Sequence, residues 1–397
     1  MFPAHRTLRA VALALIASSA AFSCATPRPA TPPAPPTAPA PIEPQASIPP
    51  PHVPLPAPEV VPPPPPTPTP EPPPPVLPPK PGPAVTLLLP LDAPEFQPAA
   101  EAVQQGFVAA MVAEGRALDV VIRRTDATDE RVLADYDAAV RAGTRVVVGP
   151  MTRSGVAALA RFERIAVPTL ALNQPEGAVA VPESLFVFGL AVEGEARQIA
   201  RRAWVDRMRI ASVVNSPTPL SRRSRDAFVD EWLLLGGHII DIVEAVPGAG
   251  PGLVTEILDR DPPHFVFLAE RGDQARQLRP YLGSQMPVYA TSHIHTTSDP
   301  LKNLDLNGVH FADMPWLLRP DDPAVARYPR PIGLQGDLLR FYALGIDAFR
   351  IAARLLDGQR AFEFAGVTGR IAARGGGVVE RRPLGATFRD GRTVALE

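Results

Sequence analysis

Side chains that could bind a ligand follow the apolar segments of this chain, at points where strands would end. Asp92 follows LLLPL, and Thr152, Arg153 and Ser154 lie in GPMTRSGVAAL, directly after the apolar run RVVV. If these runs are parallel strands, their carboxyl ends meet at one edge of a sheet, where ligands bind against helix N-termini. The backbone N–H groups of this turn could hold a carboxylate. Capping of the next helix alone, however, also explains Thr152 and Ser154.

The same pattern recurs further along the chain. Asn173 follows TLAL, Asn215 follows IASVV and Glu270 follows HFVFLA. Both asparagines are equally explained as turn residues, because their side chains bond to nearby backbone. We therefore expect an interlobe candidate cleft, in which both a ligand site and plain turn structure stay open, formed by Asp92, Thr152, Arg153, Ser154, Asn173, Asn215 and Glu270.

No residue pattern typical of catalysis or of metal binding accompanies these positions in the sequence. The nucleophile elbow, the Walker loop and the His-Glu-x-x-His motif are missing. His293 and His295, in TSHIHTT, have no third histidine or acidic companion nearby. Glu193 and Glu195 fall at a predicted helix start, where they complement the helix dipole. We predict that the protein is not an enzyme and has neither a metal site nor a cofactor.

The elements that must position these residues alternate between short apolar runs and longer amphipathic segments. This alternation predicts parallel sheets covered on both faces by helices, and the number of strand signals exceeds one modest sheet. The fold class expected is α/β, with two doubly wound parallel-sheet lobes. We place the first lobe at about 84–190 plus 330–365, and the second at about 191–325 plus 366–397.

The N-terminus has the pattern of a secretory signal peptide, which we place at residues 1–23. His5, Arg6 and Arg9 precede an apolar run that ends at Ser23 and Cys24. A small residue followed by cysteine resembles a bacterial lipobox, so we expect Cys24 to be lipidated and to hold the protein at a membrane. The alternative is an incidental thiol in a secreted protein, since AF at 21–22 departs from the usual lipobox. By resemblance to bacterial sorting patterns, Ala25 favours the outer membrane.

Residues 24–83 contain more than half of the chain's 53 prolines. Such a segment cannot bury enough apolar surface to fold, and its default conformation is polyproline II. We expect a disordered spacer that reaches roughly 180 Å when fully extended, at ~3.1 Å per residue. A low-complexity tail without a length requirement is the alternative. The formal net charge of −2 gives no basic surface for nucleic acid, so we exclude that partner.

The segment PVYATSHIHTTSDPLKNLDLNGVHFADMPWLL, residues 287–318, resembles the penicillin-binding protein activator family of bacterial lipoproteins (LpoA/LppC). The most specific blocks are YATS, DLNGV and DMPWLL, and supporting similarity extends over almost all of 84–397. The resemblance implies a two-lobed fold similar to type I periplasmic binding proteins, with three crossovers between the lobes. Met314, Pro315 and Trp316 are better explained by packing at a crossover than by direct contact with a partner.

The resemblance also implies a lipid-anchored outer-membrane protein that faces the periplasm. Its partner would be a class A penicillin-binding protein, whose peptidoglycan cross-linking it stimulates. Well-known members place a helical-repeat domain before the two-lobed domain, whereas this sequence has the proline-rich segment there. We expect that segment to replace the reach of the missing domain.

Two other classes of function remain open at this point. A periplasmic solute-binding protein would close its lobes on an amino acid or a similar small molecule. An enzyme acting on the cell wall would need an acid–base pair or an activated nucleophile, and neither is visible in the sequence.

Overall fold

The computed structural model describes residues 82–162, 164–245, 255 and 262–396. The predicted signal peptide, Cys24 and almost all of the proline-rich segment lie outside these residues. Two large sheets dominate the described part, one in each lobe. Among the described residues, no helix is long and apolar enough to cross a membrane.

The first lobe is built on a six-stranded parallel sheet in the order β13-β5-β4-β3-β1-β2. Its strands are β1 (Val85–Leu89), β2 (Val120–Arg124), β3 (Val146–Val148), β4 (Thr169–Ala171), β5 (Leu185–Val187) and β13 (Gly377–Val378). Its helices are α1 (Gln97–Ala113), α2 (Asp129–Arg141), α3 (Arg153–Ala160) and α9 (Asp337–Leu356). The central strands are wholly buried because α1 and α9 cover one face and α2 and α3 the other.

Helices α1 and α9 touch through glycines. A Cβ on Gly106 would overlap the carbonyl oxygen of Tyr342, and a Cβ on Gly345 would overlap that of Val103. Phe107 and Phe349 meet edge to face beside this contact, with ring centroids 5.4 Å apart. The two backbones therefore approach more closely than any larger residue at these positions permits.

The second lobe contains a seven-stranded sheet in the order β16-β15-β10-β9-β8-β6-β7. Its strands are β6 (Ile210–Asn215), β7 (His238–Glu244), β8 (Phe265–Ala269), β9 (Val288–Ala290), β10 (His310–Asp313), β15 (Leu384–Arg389) and β16 (Arg392–Ala395). Strands β15 and β16 are antiparallel additions to the parallel strands. The helices are α4 (Val192–Val205), α5 (Pro219–Leu234) and α6 (Gly272–Leu278), followed by 3₁₀ turns at Arg279–Leu282, Ser292–Ile294 and Pro300–Leu306. Phe228 stacks on Phe267 at 4.0 Å in the core under α5.

Three crossovers connect the lobes. The chain leaves the first lobe after β5, returns after β10 through α7 (Pro315–Leu318) and α8 (Pro323–Ala326), and leaves it again before β15. A small antiparallel sheet of β11 (Ala361–Ala365), β12 (Arg370–Arg374) and β14 (Glu380–Arg382) accompanies the third crossover. The sequence pattern places 366–397 in the second lobe, but β13 pairs with β5 of the first sheet. This short strand was missed because Gly375, Gly376 and Gly377 give no strand pattern.

Candidate functional site

The predicted residues of the first lobe lie where the sequence placed them, at the carboxyl ends of its strands. Asp92 follows β1 and its Oδ1 accepts a 2.8 Å hydrogen bond from Arg124 Nε, at the end of β2. Thr152 caps α3, where its hydroxyl accepts from the N–H of Gly155. Asn173 is a turn residue: its Nδ2 donates to the carbonyl of Met151, and its Oδ1 accepts from Gln174 N–H. Capping and turn geometry thus account for Thr152 and Asn173.

The predicted residues of the second lobe follow neighbouring strands. Asn215 ends β6, is fully buried, and donates through Nδ2 to the carbonyl of Ser216 and to Glu244. Glu270 comes directly after β8, which pairs with β6. Only 4% of Glu270 is exposed, and its Oε1 has no hydrogen-bond partner within the described ranges.

Glu270 is the predicted residue with unusual electrostatics. Burial raises the pKa of its carboxyl group to about 7, against a smaller lowering effect of a hydrogen bond with Ser216. A carboxyl group that titrates near neutral pH can be either a proton carrier or an anionic ligand for an ammonium group.

A salt bridge joins the lobes beside the candidate cleft. Arg153, at the start of α3 in the first lobe, lies 3.0 Å from Glu193 on α4 of the second lobe. Glu193 also forms an ion pair with Arg223 on α5, with Arg223 Nε and Glu193 Oε1 3.1 Å apart. Arg153 is thus engaged with protein partners, and Ser154 beside it is half-buried. No hydrogen bond within the described part of the chain joins Asp92, Ser154 or Asn173 to the pair in the second lobe, so the predicted residues form two separate groups.

A buried ionic cluster that the sequence analysis did not foresee lies where the lobes meet. Arg340, on α9, donates to Asp313 at 2.6 Å and also to the carbonyls of Ser292 and His295. His295 Nδ1 lies 2.9 Å from the same carboxylate. Burial alone would raise the pKa of Asp313, but the charge of Arg340 and the bonds from His295 and Arg340 lower it to about 2. Asp313 and Arg340 are therefore both ionised, and the cluster connects the end of β10, the loop after β9 and α9.

A second buried pair lies in the same region. Arg381, on β14, lies 2.6 Å from Glu195 of α4, and Glu195 also accepts from the N–H of Ser292. Glu195 therefore connects α4 to β14 and to the loop after β9, in addition to complementing the helix dipole. One signal could have revealed these residues: Arg340 is a charge within the long apolar pattern of α9, and such a charge is buried only when paired.

The two histidines of TSHIHTT face different surroundings. His295 is bonded to Asp313, whereas His293 Nδ1 has no partner among the described residues and burial lowers the pKa of its imidazole. In the part of the chain that the structure describes, no group of three or more His, Cys, Asp or Glu side chains is placed to hold a metal ion. Met314 and Trp316 are buried in the first lobe's core, and the backbone N–H of Trp316 donates to the carbonyl of Val367, as expected for packing at a crossover.

The family of the chain follows from comparison with known proteins. The family model described as "LppC putative lipoprotein" matches residues 80–247 and 248–391. The chain belongs to the LppC family. The resemblance inferred from the DMPWLL region and its neighbours is therefore confirmed.

Curated relatives of this LppC protein are named as activators. Penicillin-binding protein activator LpoA of Photobacterium profundum is 25% identical over 79% of this chain and 57% of its own length. LpoA of Haemophilus influenzae is 26% identical over 65% of this chain and 46% of its own length. The chain thus spans about half the length of these curated relatives.

Solved structures confirm the two-lobed α/β fold. The LpoA C-domain of H. influenzae, described as a regulator of PBP1A, has a TM-score of 0.67 at 24% identity and covers 79% of this chain and 99% of its own. A Chromobacterium violaceum protein described as a "putative branched-chain amino acid ABC transporter" has a TM-score of 0.65 at 32% identity and covers 77% and 99%.

Proposed function

We propose that this protein is a lipid-anchored regulator that binds a class A penicillin-binding protein on the periplasmic side and stimulates its peptidoglycan cross-linking. The observation that carries the proposal is the family match across 80–391, together with relatives named as penicillin-binding protein activators. The buried ion pairs Arg340–Asp313 and Arg381–Glu195 suit a binding module, because each charge is compensated by its partner.

A reconstituted cross-linking assay tests this function. The full chain, without lipid, is added to a purified class A synthase and its lipid-linked precursor, and the cross-linked fraction of the product is measured. We expect that fraction to rise with the concentration of added protein, and to remain unchanged when a class B synthase replaces the class A synthase. An unchanged cross-linked fraction with the class A synthase, at saturating concentrations of the protein, would contradict the proposal.

The lipid anchor is a separate part of the proposal, because Cys24 lies outside the described residues. We expect cells fed a clickable palmitate to label the wild-type protein, which then sediments with the outer membrane. The Cys24→Ala variant is expected to be unlabelled and to be released in the soluble periplasmic fraction. Sedimentation of that variant with the outer membrane would show that the anchor lies elsewhere.

A solute-binding function is the second candidate, favoured by the similarity to the C. violaceum protein and by the unpartnered Oε1 of Glu270. Against it stand the capping role of Thr152 and the salt bridge of Arg153, which use two of the expected ligand contacts internally. A thermal-shift screen of amino acids separates the candidates, since a ligand at 100 times its Kd adds about 2.7 kcal/mol to stability. A rise in Tm that Glu270→Gln abolishes would favour solute binding.

A further inference from the structure

A cavity of about 720 Å³ lies between the lobes, apart from the predicted cleft residues. The second lobe contributes the loop after β9 and the turn between β15 and β16, and the first lobe contributes the start of α9 and Leu317 of α7. Its lining includes Asn303, Arg340 and Arg392. Its volume falls in the range of roughly 300–1,000 Å³ that is usual for small-molecule sites.

The walls of this cavity are fixed by contacts of their own. A Cβ on Gly391 would overlap the carbonyl oxygen of Pro300, so the β15–β16 turn lies directly on the 3₁₀ turn at Pro300–Leu306. The N–H of Gly391 donates to Asn307 Oδ1 at 2.9 Å. On the opposite side, Arg340 is held by Asp313 and by Asp337. The cavity is therefore preformed, because the residues on both of its sides are held in place by contacts within the protein.

The charge of the lining is of one sign. None of the lining residues is an aspartate or a glutamate, and two are arginines. Arg340 is neutralised by Asp313 and Asp337, whereas Arg392 is exposed and makes no ion pair with any described carboxylate. Asp337, in the first turn of the 20-residue helix α9, is paired with Arg271 and Arg340, and the helix adds the positive end of its dipole through Gly336. An anionic group fits this end of the cavity.

The rest of the lining is suited to a peptide. Asn303 is 1% exposed, and its Nδ2 donates to the carbonyl of Thr297 at 2.8 Å. Its Oδ1 has no partner in the described structure and is enclosed, so the side chain must turn before the N–H group of a ligand can reach this unpaired acceptor. Hydroxyl groups of Thr297, Ser298 and Thr393 can donate or accept beside it. The cavity thus combines an acceptor for an N–H group with apolar contacts from Pro300 and three leucines.

We propose that this interlobe cavity binds a short peptide through its C-terminal carboxylate, with Arg392 and the start of α9 holding the carboxylate. The asparagine acceptor and the hydroxyls hold the amide groups, and the leucines contact the side chains. Because both lobes line the cavity, a bound peptide stabilises one relative placement of the lobes. This site is independent of the proposed lipid anchor and of the proposed synthase partner.

Calorimetric titration of the full chain tests the site with N-acetyl-L-Ala-L-Ala, N-acetyl-D-Ala-D-Ala and the C-terminal amide of each. We expect at least one acid to bind, and both the loss of its carboxylate and Arg392→Gln to weaken binding about tenfold, since a charged bidentate contact is removed. Arg389→Gln, on the same hairpin but outside the lining, is the matched control and leaves affinity unchanged. Preference for the L form points to a protein C-terminus, and preference for the D form to a cell-wall peptide.

Three results would overturn the proposal: no binding of either acid at millimolar concentration, equal affinity for acid and amide, or an affinity that Arg392→Gln leaves unchanged. Inorganic phosphate is titrated as well. If phosphate binds in an Arg392-dependent way and neither peptide competes with it, the site takes simple anions and the peptide assignment is wrong. Arg392 is exposed, so loss of binding in its variant does not arise from misfolding, and its Tm is measured to verify this.

Discussion

Arg340 shows how single residues hold the lobes of this protein together. It lies on α9 of the first lobe and bonds to a carboxylate and to backbone carbonyls of the second lobe. Both Arg340 and Asp313 are almost entirely removed from water. Breaking such a pair from one side leaves the other charge buried without compensation, which costs far more than the net contribution of the intact pair.

The variant Arg340→Met tests this cluster. Because the substitution leaves the buried Asp313 carboxylate without its cationic partner, we expect the free energy of unfolding to fall by about 3–5 kcal/mol in urea titrations at pH 7. Arg382→Met removes an exposed ion pair with Glu380 and serves as the control, with an expected change of about 0–1 kcal/mol. Equal effects of the two substitutions would show that the buried cluster does not stabilise the lobe contact.

Glu270 makes stability depend on pH in the opposite direction from an ordinary salt-bridged carboxylate. Its pKa is about 7 in the folded protein against an ordinary value of 4.5. Between these values the folded protein holds a proton that the unfolded chain releases, so the free energy of unfolding falls as the pH rises. We expect Glu270→Gln to remove this loss and to be more stable than wild type by roughly 1–3 kcal/mol at pH 8.

Urea titrations at pH 4.5, 6 and 8 would measure this effect of Glu270→Gln. Glu183→Gln changes an exposed carboxylate and should leave the pH profile of wild type intact. If the Glu270→Gln and wild-type profiles run parallel across this range, the carboxyl group of Glu270 does not titrate near neutral pH.

At the scale of elements, the contact between α1 and α9 depends on the missing side chains of Gly106 and Gly345. Gly345→Ala would place a methyl group against the carbonyl of Val103 and 2.9 Å from the backbone nitrogen of Phe107. We expect the helices to separate and the free energy of unfolding to drop by roughly 1–3 kcal/mol. Thermal unfolding followed by circular dichroism would detect this drop as a lower Tm.

Gly194→Ala is the matched control for Gly345→Ala. Gly194 also lies inside a helix, but nothing is within 4 Å of its would-be Cβ. The better helix propensity of alanine should therefore raise stability slightly, by up to about 1 kcal/mol. A similar loss in both variants would mean that close packing is not what disfavours alanine at 345.

The strands of the parallel sheets could be predicted from the sequence because a strand that is buried on both faces consists of a short run of apolar residues. Strands β1, β3, β4, β6 and β8 overlap the apolar runs LLLPL, RVVV, TLAL, IASVV and HFVFLA. The C-terminal strands β11 to β16 were not predicted. They are antiparallel or very short and carry many arginines and glycines, so their pattern resembles that of loops.

The candidate site was predicted less completely than the fold. The sequence shows which residues follow a strand. It does not show which side chain of the other lobe each of them contacts. Arg153 and Glu193 are 40 positions apart, and Arg340 and Asp313 are joined across 27 positions. The cavity wall at Gly391 and Arg392 comes from the unpredicted hairpin, so its residues gave no signal in advance.

At the scale of the whole molecule, the proline-rich segment determines how far from its anchor the module can act, if our proposal holds. Deleting 27–75 shortens the reach by about 150 Å at ~3.1 Å per residue. We expect this deletion to abolish stimulation in cells, measured as muropeptide cross-linking, and to leave stimulation by the purified protein intact. Loss in both settings, or in neither, would contradict the role as a spacer.

A replacement of 27–75 by a flexible Gly/Ser sequence of equal length separates stiffness from length. A flexible chain has a much shorter mean end-to-end distance than polyproline II. We expect partial rescue in cells if length alone matters, and no rescue if an extended spacer is needed. Expression and membrane fractionation verify that each variant reaches the same compartment.

The route of the chain also decides which fragments of this protein can exist. Helix α9 and strand β13 complete the first sheet's layers, whereas β15 and β16 close the edge of the second sheet, and all of them follow residue 336. No single cut can therefore release one lobe intact. A frameshift or nonsense codon near residue 330 would remove α9 and β13 from the first lobe and β15 and β16 from the second, so neither lobe would have a complete core. Selection on roughly the last sixty residues therefore acts on both lobes at once.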